Sequence, residues 1–222
     1  MRFIHFALAV GLSINLAFAS PTNPVNGAEY VSIATPQSVS STGKKIEVIE
    51  FFMYHCPACN MIEPALLEWV KKQGDNVQFK RIHVPHNGPK DAEAHLFLAL
   101  DAMQLEDSLH SKVLHTWHVE HHQLLNDDDN LNWALKNGLD KDKFLAAYNS
   151  FSVLSKLQSL ARIAGNYQVD STPTLIVDGH YLTSLSQLNK SNPSLKDNEL
   201  IKGTFQVMDA LVLKAQAEKG AK

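Results

Sequence analysis

Both cysteines of the 222-residue chain fall within one tetrapeptide, Cys56-Pro57-Ala58-Cys59, directly behind a run of β-branched and aromatic residues. That run, Lys45 to Tyr54, has the density expected of a central strand buried on both faces. Pro57 suits the first turn of a helix, where a missing N–H leaves nothing unpaired. Met61 to Val70 continues with helical apolar spacing. Pro64 is expected to kink that helix and Gly74 to end it. Val77 to Val84 reads as a second strand, closed by Pro85. The result is a strand–helix–strand unit with both thiols at the helix N-terminus.

Cysteine spacing narrows the chemistry. A disulfide staple across four residues removes little unfolded-state entropy, about 2 kcal/mol of stabilisation, and a chain this long builds its core without it. A structural zinc site needs four ligands, and there is no second CxxC. Redox exchange fits best, with metal binding and a plain structural bridge as the alternatives. A thiolate, not a thiol, is the nucleophile. The free N–H groups and positive dipole end of a helix favour that anion. Cys56 at the tip is therefore the attacking and attacked sulfur, and Cys59, one turn inside, the resolving thiol. His55 can add charge when protonated; otherwise it is a surface residue without a role. Whatever stabilises the thiolate favours the reduced form and makes the disulfide the stronger oxidant.

The remainder of the chain frames this unit. Met1-Arg2, an apolar stretch to Phe18 and Ala17-Phe18-Ala19 form an export signal, with cleavage after Ala19. A membrane anchor is the weaker reading, since Ser13 and Asn15 interrupt the stretch. Residues 20–43 form an N-terminal arm, with a short strand possible at Tyr30 to Ile33. Residues 89–166 carry helical spacing: Leu96, Leu100 and Met103, then Leu105, Leu109 and Val113. Asp127 to Asn130 and Asp140 look like caps, and Gly138 like a break. Strands return at Thr174 to Val177 and His180 to Leu182, with Asp178-Gly179 marking a hairpin. A last helix is expected from Glu199 to Ala217, with Phe205, Met208, Leu211 and Val212 on one face. The fold class is thus α/β, with a sheet domain (44–88 and 167–219) interrupted by an all-helical insertion. With 20 Lys+Arg against 23 Asp+Glu, nothing points to a nucleic-acid partner.

Glu50-Phe51-Phe52, the Cys-Pro-Ala-Cys tetrapeptide, the helical insertion and the late Thr172-Pro173 together resemble the thioredoxin-fold DsbA family from about Val25 onward. The resemblance implies a periplasmic enzyme that donates disulfides to unfolded exported proteins. It implies reoxidation by a DsbB-like membrane quinone reductase, and no cofactor beyond the Cys56–Cys59 disulfide. It places a cis-proline at Pro173, shaping with Thr172 a loop where substrate backbone pairs beside Cys56; the alternative is a trans proline opening a strand. It also gives Glu50 a part in proton transfer below the cysteines. On burial alone, Glu50 must be paired or protonated, with Arg81 or Lys80 as partner, so a structural ion pair stays open.

Two departures stand out. Ala58 replaces the histidine of the best-known family members, which predicts a less oxidising disulfide. Thr172 stands where valine is familiar and resembles the periplasmic isomerases, whose N-terminal dimerisation domain is longer than the arm here. His110, His115, His118, His121 and His122 crowd one segment; on a helix His118 and His122 would share a face and could bind zinc or copper, although a solvated face or an active-site rim explains them as well. The competing functions are therefore a disulfide isomerase or reductase, a periplasmic metal-binding protein using the CxxC and histidines, and a chaperone with incidental thiols.

Overall fold

A computed structural model of the protein describes residues 20–221; the export signal expected over residues 1–19 lies outside them. The hydrophobic run behind the CxxC forms β2 (Ile46–Phe52), with every residue buried. It is followed by α1 (Pro57–Gln73) and β3 (Val77–His83). β3 pairs parallel to β2 with Glu50 opposite Arg81. Antiparallel to β2 lies β4 (Thr174–Val177), then β5 (Tyr181–Ser184). The two-residue strand β1 (Val31–Ser32) closes the far edge, giving the order β1-β5-β4-β2-β3.

Alternation along β2 dictates the layers. Ile46 and Val48 face α1 and the C-terminal helix, meeting Leu66, Trp69, Met208 and Leu211. Ile49 and Phe51 face the other way, onto Ala164, Tyr167 and Ile176. A strand covered on both faces has no solvent side, which is why its hydrophobic run is nearly continuous. Glu50, between Val48 and Phe52, shares the α1 face.

Between β3 and β4 the chain forms five helices: α2 (Ala92–Ala102), α3 (Glu106–His118), α4 (Asp127–Lys136), α5 (Lys141–Tyr148) and α6 (Phe151–Asn166). Their core of Leu96, Leu100, Leu114, Trp133 and Phe144 is continuous with Phe52 and Cys59 at the sheet end. The insertion therefore packs directly on the thiol site. Side-chain caps set its starts: Asp91 accepts from Ala94, Asn126 from Asp129, Asp140 from Lys143 and Ser150 from Val153.

The expected hairpin is present, with Asp178 (φ 51°) and Gly179 (φ 65°) both left-handed, as a two-residue turn of this hand requires. A side chain at 179 would also run into the Gln37 carbonyl. Helix α1 stops at Gly74, whose φ is 52°, but it runs on through Pro64 without a break in its assignment. Helix α8 (Asp197–Gly220) is longer at both ends than expected, and α7 (Leu185–Ser191), capped by Ser184, had no counterpart in the sequence reading. Among the described residues, no helix is long and apolar enough to cross a membrane.

Candidate active site

Cys56 is the N-cap residue of α1 and Pro57 occupies the first helical position. The chain therefore turns into the helix at the sulfur, with the N–H groups of Ala58 and Cys59 aimed at it. Both thiols are free, with Cys56 8% exposed and Cys59 only 1%. The exposed edge belongs to Cys56, so a partner sulfur can reach it first.

The environments of the two sulfurs drive their acidities apart. A hydrogen bond from the Cys59 thiol is the strongest influence on Cys56. Burial opposes it, but Thr172 and the N–H groups of Cys59 and Ala58 add to it, and the thiol falls to about 5. Cys59 goes the other way: burial, its bond to Cys56 and the nearby Glu50 charge all disfavour its thiolate, raising it far above the usual thiol range. Cys56 is thus ionised and Cys59 protonated at neutral pH.

Across from the helix tip, the Thr172–Pro173 peptide bond is cis. The Thr172 carbonyl lies 3.4 Å from the Cys56 sulfur, close enough to accept its proton whenever the thiol is protonated. The loop leading into β4 therefore lies against the reactive sulfur. Of the six residues singled out from sequence, Cys56, Cys59, Thr172 and Pro173 share this one spot.

Glu50 is on the next level down. It is 1% exposed and accepts from Arg81 Nε at 3.0 Å, because the two are register partners on adjacent strands. Lys80, on the opposite face, instead reaches Glu47 at 2.9 Å. Arg81 also donates to Glu63 on α1 (3.0 Å) and Glu106 on α3 (3.3 Å). Three carboxylates converge on one guanidinium, two of them buried with it and Glu106 15% exposed. Desolvation wins at Glu50: despite Arg81, its carboxyl is raised to about 8. It carries a proton at neutral pH, close enough to Cys59 for its charge, once formed, to oppose the thiolate.

The histidines separate. His110 is buried, 3.1 Å from Glu106 and 3.7 Å from Glu63; burial, and then the positive charge of Arg81, lower it to about 3, so it is neutral. His118 meets the Tyr54 carbonyl at 2.8 Å, and the partially exposed His115 lies 3.5 Å from Glu120. Helix α3 ends at His118 and His121 has φ 53°, so His118 and His122 do not share a helical face. Among the described residues, the one grouping with metal-ligand spacing is Glu50, Glu63 and His110, and Arg81 is bonded to both carboxylates.

His55, just before Cys56, is held by a residue the sequence did not single out. Glu93, in the first turn of α2, accepts from the His55 backbone N–H at 2.9 Å and meets its ring Nδ1 at 2.7 Å. This bond, outweighing partial burial, raises the imidazole above its usual range. Glu63 and Glu106 likewise carry no local sign of burial in the sequence, since an acidic residue in a helix is ordinarily solvent-facing.

The comparisons agree with this geometry. The sequence matches the Thioredoxin family (Thioredoxin_4) over residues 41–196. It is 36% identical over 212 residues to the thiol:disulfide interchange protein DsbA of Burkholderia cepacia, covering 96% of this chain and 95% of that one. The crystal structure of Pseudomonas aeruginosa DsbA superimposes with a TM-score of 0.76 at 31% identity, over 87% of this chain and 95% of that chain. Reduced DsbA1 from Neisseria meningitidis gives 0.72 at 27% identity, over 89% and 98%. A buried strand feeding a CxxC helix, a helical insertion between β3 and β4, and relatives alike over nearly their whole length place this chain in the thioredoxin-fold DsbA family of thiol:disulfide oxidoreductases.

Proposed function

We propose that the protein is a periplasmic disulfide donor: it passes the Cys56–Cys59 disulfide to unfolded exported proteins. The observation that carries this reading is the placement of two free thiols at the tip of α1, Cys56 at the N-cap with the exposed edge and Cys59 buried behind it, an asymmetry that drives their acidities apart. A substrate thiolate attacks Cys56, forming a mixed disulfide and expelling Cys59, which takes up a proton at once because its thiolate is strongly disfavoured. A second substrate thiolate then attacks the substrate sulfur of the mixed disulfide and releases Cys56 as a stable thiolate. The substrate loses two electrons and the enzyme gains them. Both halves favour oxidation of the substrate, because the leaving sulfurs end in their preferred states.

In this scheme Glu50 supplies the proton that Cys59 needs, and Arg81, Glu63 and Glu106 set how tightly Glu50 keeps it. The cis-Pro173 loop holds the substrate backbone beside Cys56. Reoxidation falls to a DsbB-like membrane quinone reductase, and no further cofactor is required. Residues 1–19 act as the cleaved export signal, 20–43 as an arm, 44–88 with 167–219 as the thioredoxin-like domain, and 89–166 as the helical insertion.

The direct test is turnover. The purified oxidised protein, given a reduced unfolded protein and oxidised glutathione, is expected to form disulfides well above the glutathione-only rate. Cys56→Ser is expected to remove the excess. A wild-type rate no higher than that of glutathione alone would refute the reading.

A further inference from the structure

The dipeptide between the cysteines, Pro57-Ala58, has no ionisable side chain, so any full positive charge near Cys56 has to come from outside it. His55 is the adjacent candidate. It is a partially exposed side chain that would ordinarily be free to swing into solvent and titrate near its ordinary value, about 6.5. The structure prevents both. Glu93 is buried at the start of α2, and its two carboxylate oxygens take the backbone N–H of His55 (2.9 Å) and the ring Nδ1 (2.7 Å). One oxygen fixes the chain immediately before Cys56 and the other fixes the ring.

The groups around this clamp reinforce it. Behind Glu93, His83 on β3 places Nε2 3.7 Å from the same carboxylate. Asp91, two residues earlier, holds the loop that precedes it by accepting from the N–H groups of His86 (2.6 Å) and Asn87 (3.2 Å). That loop sets the His86 ring 5.6 Å from the His55 ring, and Trp117 of α3 lies 6.0 Å away on another side. His55 is therefore faced by the carboxylates of Glu93 and Asp91, by the Cys56 sulfur and by the His86 imidazole. Burial alone would push Glu93 up, but its bond to the His55 ring and the nearby His83 imidazole hold it at about 2, so it stays ionised wherever the enzyme works. Two carboxylates and a thiolate outweigh one imidazole.

We propose that Glu93 is a positioning residue of the thiol chemistry: reaching from the helical insertion, it clamps His55 by backbone and ring and holds that imidazole, biased toward its cationic form, beside the Cys56 thiolate. The insertion thereby sets part of the oxidising strength of a disulfide that belongs to the sheet domain. A cation favours the thiolate, and a stabilised thiolate favours the reduced enzyme and hence disulfide donation. The proposal rests on Cys56 being the reactive sulfur.

The test compares wild type, Glu93→Gln, His55→Ala and the double variant. The readouts are the His55 ring titration by NMR in the reduced protein and the redox equilibrium with glutathione at two pH values. Glu93→Gln is expected to lower the His55 midpoint by about one pH unit or more, as loss of an adjacent opposite charge does. Its equilibrium is expected to become roughly threefold less oxidising near pH 7.5, equivalent to about half a unit of thiol pKa. Toward pH 5.5, as the imidazole gains its proton in both proteins, that loss should shrink or reverse, because the variant's imidazolium then acts on Cys56 without the Glu93 counter-charge. In the His55→Ala background, Glu93→Gln should add nothing. An unmoved His55 midpoint, an equal loss at both pH values, or a loss that persists without His55 would overturn the proposal, because a merely structural Glu93 would act alike at every pH. Failure of the underlying reading is separately visible: Cys59→Ser would then not trap glutathione on Cys56.

Discussion

Replacing Glu50 by glutamine should make the protein more stable at neutral pH, although it replaces the carboxyl that Arg81 bonds. Glu50 is raised from 4.5 to about 8, first by desolvation, against the pull of Arg81. In the unfolded chain the same carboxyl ionises near 4.5. Between those values the folded state keeps a proton that the unfolded state releases, so stability falls as pH rises, by about 1.4 kcal/mol per unit. At pH 7 the accumulated loss is about 3 kcal/mol, and above pH 8 it levels off. Glutamine keeps a neutral oxygen for Arg81 Nε and has no proton to lose. The variant should therefore exceed wild type by about 3 kcal/mol at pH 7, with the gap closing toward pH 4.5. Urea unfolding of the reduced proteins at several pH values measures both the gap and its slope. A constant gap, or a less stable variant at pH 7, would mean that Glu50 is ionised and held by Arg81, and would refute the argument.

Other outcomes follow from the same geometry. Absorbance of the reduced protein at the thiolate band should show one ionisation, centred near pH 5 and lost in Cys56→Ser, with Cys59 silent through neutral pH. Cys59→Ser should leave Cys56 reactive and accumulate mixed disulfides that wild type resolves; a variant that forms none would contradict the assigned roles. Thr172→Val removes a side chain that favours the thiolate, so the Cys56 midpoint should rise by about one unit, the scale of a hydrogen bond to a charged group, and an unchanged midpoint would exclude that contribution.

The elements legible in the sequence were those whose cause is local. β2 announced itself because a strand covered on both faces admits almost no polar residue. The β4–β5 turn did so because Asp-Gly suits two left-handed residues in a row. Asp140 and Gly74 marked a helix start and stop through short-range hydrogen bonding and backbone conformation. Glu50 was conspicuous as a carboxylate inside a hydrophobic strand, and the strand register supplies Arg81 as its partner. The rest depends on contacts between distant segments. Glu93 and Glu106 lie in first helical turns, where an acidic residue is already accounted for by the helix dipole, so nothing local reveals that each is turned inward. His110 looks like its exposed neighbours until α3 packs it against Arg81 and Glu63. The short α7 was lost because seven residues offer too little periodicity to separate from a loop.

The central claim, that Cys56 and Cys59 serve as a donated disulfide, is tested most directly by the state of the pair in living cells. Rapid acid quenching followed by alkylation separates the dithiol from the disulfide by mass. A pair that is mostly oxidised at steady state is the predicted result. A pair that is mostly reduced would contradict the account and identify the protein as an isomerase or reductase instead.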